Sequence, residues 1–227
     1  MVKGPKIEIK KNGPYLVSGE IPLAKEIILR NDENIPIGWE KGKVFLVQDE
    51  YALCRCGKSR EKPFCDGTHQ KVRFDGTETA SMKPHNDQAR LIKGLELDMK
   101  DARDYCAGLQ FCHRAGGVWD LVEKAENPED IKTAIKIAGD CASGRLVVCE
   151  KKSHASIEPQ LDKEIGVVED PRRDISGPLW TKGGIPIFSS NGVKYERRNR
   201  ATLCRCGRSE NKPFCDGTHI SIGFRDE

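Results

Sequence analysis

No stretch of this 227-residue chain approaches the ~20 consecutive apolar residues that a membrane-spanning helix requires. The opening MVKGPKIEIKKNGPYLV breaks with charge every few positions, where a secretory leader keeps an uninterrupted apolar segment. A soluble, cytoplasmic protein with no membrane contact is the expectation. Strong charge of one sign is missing too: 38 Lys and Arg against 35 Asp and Glu leave +3, too little to steer the chain onto nucleic acid. Aromatic residues make up only 6% and hydrophobic residues 37%, so the chain divides into small units rather than one large core. Phosphate loops, dinucleotide fingerprints and nucleophile–base motifs are absent, and no independent enzymatic activity is expected. What the chain does have is ten cysteines in tight groups. Without a secretory leader, thiolate ligands are a better reading of them than disulfides.

Six of the ten sit in two near-copies of one stretch. LCRCGKSREKPFCDGTH, from Leu53 to His69, returns from Leu203 to His219 with changes only at Lys58/Arg208, Arg60/Glu210 and Glu61/Asn211. Outside it, Phe45 matches Tyr195, Gly42 matches Gly192 and Phe74 matches Phe224. Further upstream, Gly13-Pro14 with Ile21-Pro22 corresponds to Gly177-Pro178 with Ile185-Pro186, the first copy carrying an insertion. A duplicated module therefore occupies about 13–76 and 177–227. Short strands at Tyr15–Val17, at Val44–Val47 and near Val193–Tyr195 are expected to precede each site. Residues 77–97 read as a linker. In the middle, helices are expected from Asp98 through Phe111 and from Asn127-Pro128 to Ala138, then strands at Arg145–Cys149 and Ile165–Val168. The resulting α+β architecture has an N-terminal module over 1–76, a helix-rich domain over 98–170 and a C-terminal module over 171–227.

The repeated spacing C-x-C-x8-C-x3-H presents Cys54, Cys56, Cys65 and His69, then Cys204, Cys206, Cys215 and His219. Residues two apart on an extended segment face one side, so Cys54 and Cys56 can converge. Pro63-Phe64 suits a first helical turn, which would place Cys65 and His69 on one helical face. Structural zinc sites space paired ligands two to four residues apart, and C-x-C is tighter than that. Two ligands on each iron of a [2Fe-2S] rhomb is the better fit. Three thiolates and one neutral imidazole leave the oxidised site at about −1, less negative than an all-cysteine site, which raises its potential. Protonating the imidazole favours reduction and then ligand loss, so a pH-dependent potential and an acid-labile cluster are expected.

With Ser59, Pro63, Asp66, Gly67 and Thr68 in place, the pattern C-x-C-x2-S-x3-P-x-C-D-G-T-H resembles the CDGSH iron-sulfur (mitoNEET-like) domain family. The serine of that name is Thr68 in one copy and Thr218 in the other, which keeps the hydroxyl. The resemblance implies a [2Fe-2S] cluster on three Cys and one His, electron or cluster transfer, and a small β-rich fold that often pairs two sites about a twofold axis. Here the two modules of a monomer could form that pair, as a pseudo-dimer, or could stand apart as beads on a string. Asp66 and Asp216 are candidate acceptors behind the ligands or helix-start residues, and Arg55 and Arg205 could balance cluster charge or be solvated.

In the middle, Tyr105-Cys106, Phe111-Cys112 and Cys141-Ala142-Ser143-Gly144 resemble divergent single-cluster ferredoxins, with Ala142 where a proline is usual. Cys106, Cys112 and Cys141 are thus candidate ligands of a third iron-sulfur cluster, or else small buried hydrophobes. Cys149 has no counterpart in that pattern. The sequence points to an iron-sulfur protein with two [2Fe-2S] clusters, used for electron transfer, redox sensing or cluster delivery to a redox or acceptor protein. A zinc-braced interaction scaffold and a redox subunit of an oxidoreductase complex are the competing readings.

Overall fold

The computed structural model describes residues 4–226. Thirteen strands are described: β1 Lys6–Ile9, β2 Tyr15–Ser18, β3 Leu23–Arg30, β4 Pro36–Phe45, β5 Glu50–Leu53, β6 Arg90–Lys93, β7 Leu97–Asp101, β8 Leu146–Glu150, β9 Ser156–Ile157, β10 Ile165–Asp170, β11 Ile175–Lys182, β12 Ile187–Phe188 and β13 Arg200–Leu203. Helices are short: α1 Thr68–Lys71, α2 His85–Gln88, α3 Val118–Lys124, α4 Pro128–Gly139 and α5 Thr218–Ser221. Among the described residues, no helix is long and apolar enough to cross a membrane.

Alternation of buried and less buried residues along β1 and β2 lays Ile7, Ile9, Tyr15 and Val17 on one face of a sheet ordered β12-β1-β2-β5. The hairpin between β1 and β2 closes through Lys10 to Gly13, with Asn12 at φ 50°. The second sheet is ordered β13-β11-β10-β3-β4. Each sheet contains a strand from the other module. β12, from the C-terminal copy, pairs in parallel with β1, and β3, from the N-terminal copy, pairs in parallel with β10. One core joins both sheets, with Ile7, Tyr15, Leu23 and Leu53 packed in the same cluster as Ile165, Val167, Leu179 and Leu203. The two copies are therefore one interlocked body with a pseudo-twofold strand order, the extra strand β4 beginning in the first copy's insertion and running into the matched positions Gly42 and Phe45.

Polar groups secure the exchange. Arg30 on β3 forms a bidentate pair with Asp170 on β10, at 2.9 Å from Nε and 2.7 Å from Nη2, both side chains being buried. The buried Tyr15 hydroxyl reaches across the modules to the carbonyls of Cys204 at 2.9 Å and Pro213 at 3.1 Å.

The middle domain packs α3 and α4 on the sheet β6-β7-β8-β9 around Met99, Val118, Val122, Ile137, Leu146 and Val148. Asn127 caps α4 by accepting from the Asp130 amide, as its sequence predicts. The helix expected over 98–111 is replaced by β7 and a single 3-10 turn, because residues 97–101 are held between β6 and β8. The stretch read as a linker contributes β6 and α2, and the amides of Thr79 and Ala80 donate to the Lys212 carbonyl. β10, read with the middle domain, is instead bonded to β3 and β11 of the terminal sheets. The strand expected over 44–47 ends at Phe45, and near 193–195 there is only a bridge from Lys194 to Phe188. Trp39 stacks on Phe111 and contacts Trp180, both with ring centroids 4.7 Å apart, joining the middle domain to the second sheet.

Asp170→Asn strands the buried Arg30 charge and is expected to destabilise the fold by about 3–5 kcal/mol in urea unfolding. A change below about 0.5 kcal/mol, the scale of an ordinary surface substitution, would show that the exchanged strands do not depend on the pair.

Candidate metal centre

The structure places all eight candidate ligands in two equivalent sets. Cys54 and Cys56 follow β5, and their sulfurs stand 3.8 Å apart; Cys204 and Cys206 follow β13 at the same 3.8 Å. Cys65 Sγ lies 3.3 Å from His69 Nδ1, and Cys215 Sγ lies 3.4 Å from His219 Nδ1. Two sulfurs on one tetrahedral metal with ~2.3 Å bonds would stand about 3.8 Å apart, and a sulfur and an imidazole nitrogen about 3.6 Å. Each module thus offers two ligand pairs, each spaced for one metal ion. Among the described residues no group of three or more His, Cys, Asp or Glu side chains converges on a single ion position.

Backbone bonds bring the two pairs together. The Cys54 amide donates to Pro63 O at 2.8 Å and the Cys65 amide to Ala52 O at 2.9 Å, so the second ligand segment folds back along the first. Cys204 to Pro213 and Cys215 to Thr202 repeat both bonds. These bonds hold Cys65 in a loop, and the helix expected to begin at Pro63 starts only at Thr68, with Gly67 at φ 84°. Ser59 donates to Phe64 O at 2.7 Å and accepts from the Glu61 amide, pinning the intervening loop; Ser209 does the same. Asp66 accepts from the Thr68 amide and hydroxyl and from the Arg60 amide, a helix-start role that holds its carboxyl below the usual range.

Electrostatics favours a bound cation. Hydrogen bonding from Cys56 lowers Cys54 to about 6, while that bond and burial push Cys56 far up. Cys204, lowered to about 7, and Cys206 behave alike. A positive metal bound between such sulfurs lets both ionise. Burial pushes His219 down to about 4, leaving its imidazole neutral, the form that ligates. Between the paired cysteines, Arg55 and Arg205 are each only 1% exposed rather than solvated. Arg55 donates to Gly76 O at 2.6 Å and lies against Tyr15 and Phe74. Arg205 donates to Gly177 O and Val168 O and pairs with Glu169 and Asp226.

Family models match this arrangement in three places. "Iron-binding zinc finger CDGSH type" covers residues 12–70 and 176–220, and "Divergent 4Fe-4S mono-cluster" covers 92–151. The chain is a tandem CDGSH iron-sulfur protein. No curated protein matches it.

The two CDGSH sites stand back to back. A methyl group at Gly57 would stand 2.6 Å from Cys206 O, and one at Gly207 would stand 2.6 Å from Cys56 O. The sequence alone did not reveal this contact, although both glycines recur in the repeat. In the middle domain, Cys106, Cys112 and Cys141 line one cavity of about 30 Å³ with Ala142, Ser143 and Arg145. Burial and the neighbouring Cys141 push Cys112 up to about 12. Cys149 is buried on β8, and His113 packs edge-on against Trp119.

Gly57 (φ 70°) and Gly67 (φ 84°) both occupy the left-handed region, where any side chain costs about 1–2 kcal/mol. A methyl at Gly67 meets nothing within 4 Å. Gly57→Ala is therefore expected to destabilise by about 1–3 kcal/mol more than Gly67→Ala in thermal unfolding. Equal midpoints would show that the back-to-back contact is not a constraint.

Proposed function

We propose that Cys54, Cys56, Cys65 and His69, and likewise Cys204, Cys206, Cys215 and His219, each hold one [2Fe-2S] cluster in a non-enzymatic carrier. The carrier serves electron transfer, redox sensing or cluster delivery to a redox or acceptor protein. The observation that carries this reading is the two-by-two spacing of the donors, 3.8 Å between sulfurs and 3.3 Å from sulfur to nitrogen in the first module. A bound [2Fe-2S] cluster supplies a reversible one-electron couple.

The chain's own residues shape that couple. One imidazole in place of a thiolate removes a negative charge from each site, which favours the reduced state relative to an all-cysteine centre. Arg55 adds buried positive charge within the first Cys-x-Cys loop, whereas Arg205 in the second is paired with Glu169 and Asp226. The Gly217 amide donates toward Cys215 Sγ at 3.5 Å, spreading charge from that sulfur. The reciprocal contact of Gly57 with Cys206 and of Gly207 with Cys56 supports a close pair over beads on a string.

A third cluster on Cys106, Cys112 and Cys141 belongs to the same proposal, supported by the divergent 4Fe-4S model that matches residues 92–151. Iron and acid-labile sulfide per chain test the whole reading. Two rhombs with a third cluster require about seven or eight irons, whereas about four would confine iron to the CDGSH modules. A colourless protein containing zinc and no iron would favour the interaction scaffold and end the carrier reading.

A further inference from the structure

The duplicated sites are chemically alike but not equally covered. Cys215 and His219 are each 3% exposed, whereas Cys65 and His69, at the same positions of the first copy, are only half-buried. The middle domain makes the difference. Cys215 packs in one cluster with Ala107, Leu109, Phe111 and Ala142. A methyl at Gly217 would stand 3.4 Å from Cys106 O, while its counterpart at Gly67 would meet nothing within 4 Å. Ile220 Cδ1 lies against Gly108, 2.5 Å from where a methyl there would stand, and Asn211 donates to Asp104 O at 2.7 Å.

Divergence between the copies coincides with this cover. From Leu53 to His69 the copies differ at only three positions, and two of the residues that touch the middle domain through their side chains, Asn211 within that stretch and Ile220 just after it, replace Glu61 and Gln70. In the first copy, Gln70 and Glu61 are exposed and polar. A duplication held uniform by the same ligand chemistry has changed where one copy acquired a lid and the other did not.

We propose that the two sites have different exchange roles. The middle domain seals the Cys204/Cys206/Cys215/His219 site as a retained centre, and the Cys54/Cys56/Cys65/His69 site is the one that yields its cluster to an acceptor protein. The inference rests on the [2Fe-2S] reading above. In such a transfer the oxidised core leaves whole as cargo. Its bonds to the three sulfurs and to His69 Nδ1 break as acceptor ligands replace them. No electron changes hands, and protons released by the acceptor's thiols are taken up by the three freed thiolates. Exposure controls the step because an incoming ligand must reach the iron before the outgoing one departs.

The test uses the full-length, cluster-loaded protein, oxidised and at neutral pH, with EDTA as the competing ligand. When half of the visible absorbance is lost, freed thiols are alkylated with iodoacetamide and mapped by peptide mass spectrometry. Alkylation at Cys54, Cys56 and Cys65 is expected to exceed that at Cys204, Cys206 and Cys215 by at least about fivefold, since only the second site requires prior local opening. Equal labelling, or labelling led by the second site, would overturn the proposal. Giving the second copy the residues of the first, Asn211→Glu with Ile220→Gln, is expected to bring the ratio near one. The reverse exchange, Glu61→Asn with Gln70→Ile, is expected to leave it unchanged. A ratio that persists in the first double variant would show that the middle domain is not the seal. A purified chain with no iron or labile sulfide would overturn the [2Fe-2S] reading itself, and the proposal with it.

Discussion

At Gly57 and Gly207 the two ligand loops touch backbone to backbone, each glycine facing the carbonyl of the other copy's second cysteine. A side chain at either position would force the loops apart, and the sulfurs of Cys56 and Cys206 would move with their carbonyls. The geometry of one site is thus tied to that of the other. The exchanged strands β3 and β12 produce the close approach, since each sheet is completed only by a strand from the other copy. The buried Arg30–Asp170 pair and the Tyr15 hydroxyl satisfy the polar groups that the exchange draws into the interior.

Within each loop, the order of donors follows from local hydrogen bonding rather than from helix geometry. Two backbone bonds fold the Cys65 segment onto the Cys54 segment, and Ser59 fixes the turn between them. Thiol pairs at 3.8 Å resist double ionisation, because burial and the first thiolate both oppose a second charge. The arrangement is one whose polar demands are met by a cation, which agrees with the iron-binding family to which both modules belong.

How much of this could be read from the sequence depended on distance along the chain. The duplication of the motif and the Asn127 cap are encoded within a few residues, and both appear as expected. Local signals misled where pairing came from afar. Residues 98–101 carry an acidic, helix-compatible start but lie between β6 and β8, and Pro63-Phe64 reads as a helix opening yet bonds back to residues near β5. The β10 segment sits beside the middle domain in sequence and in the terminal sheet in space. No spacing rule announces that copies of a module will trade strands, nor that an intervening domain will cover one copy's ligands and leave the other's open. The clue was in the few positions at which the copies differ.

The account turns on imidazole coordination at both sites, and pulsed EPR of the reduced protein carrying ¹⁵N-histidine tests it most directly. The account predicts strong ¹⁵N coupling from a directly bound imidazole, partly lost in His69→Cys and partly in His219→Cys. A reduced, iron-loaded protein without strong ¹⁵N coupling, or with coupling that survives both substitutions together, would contradict it.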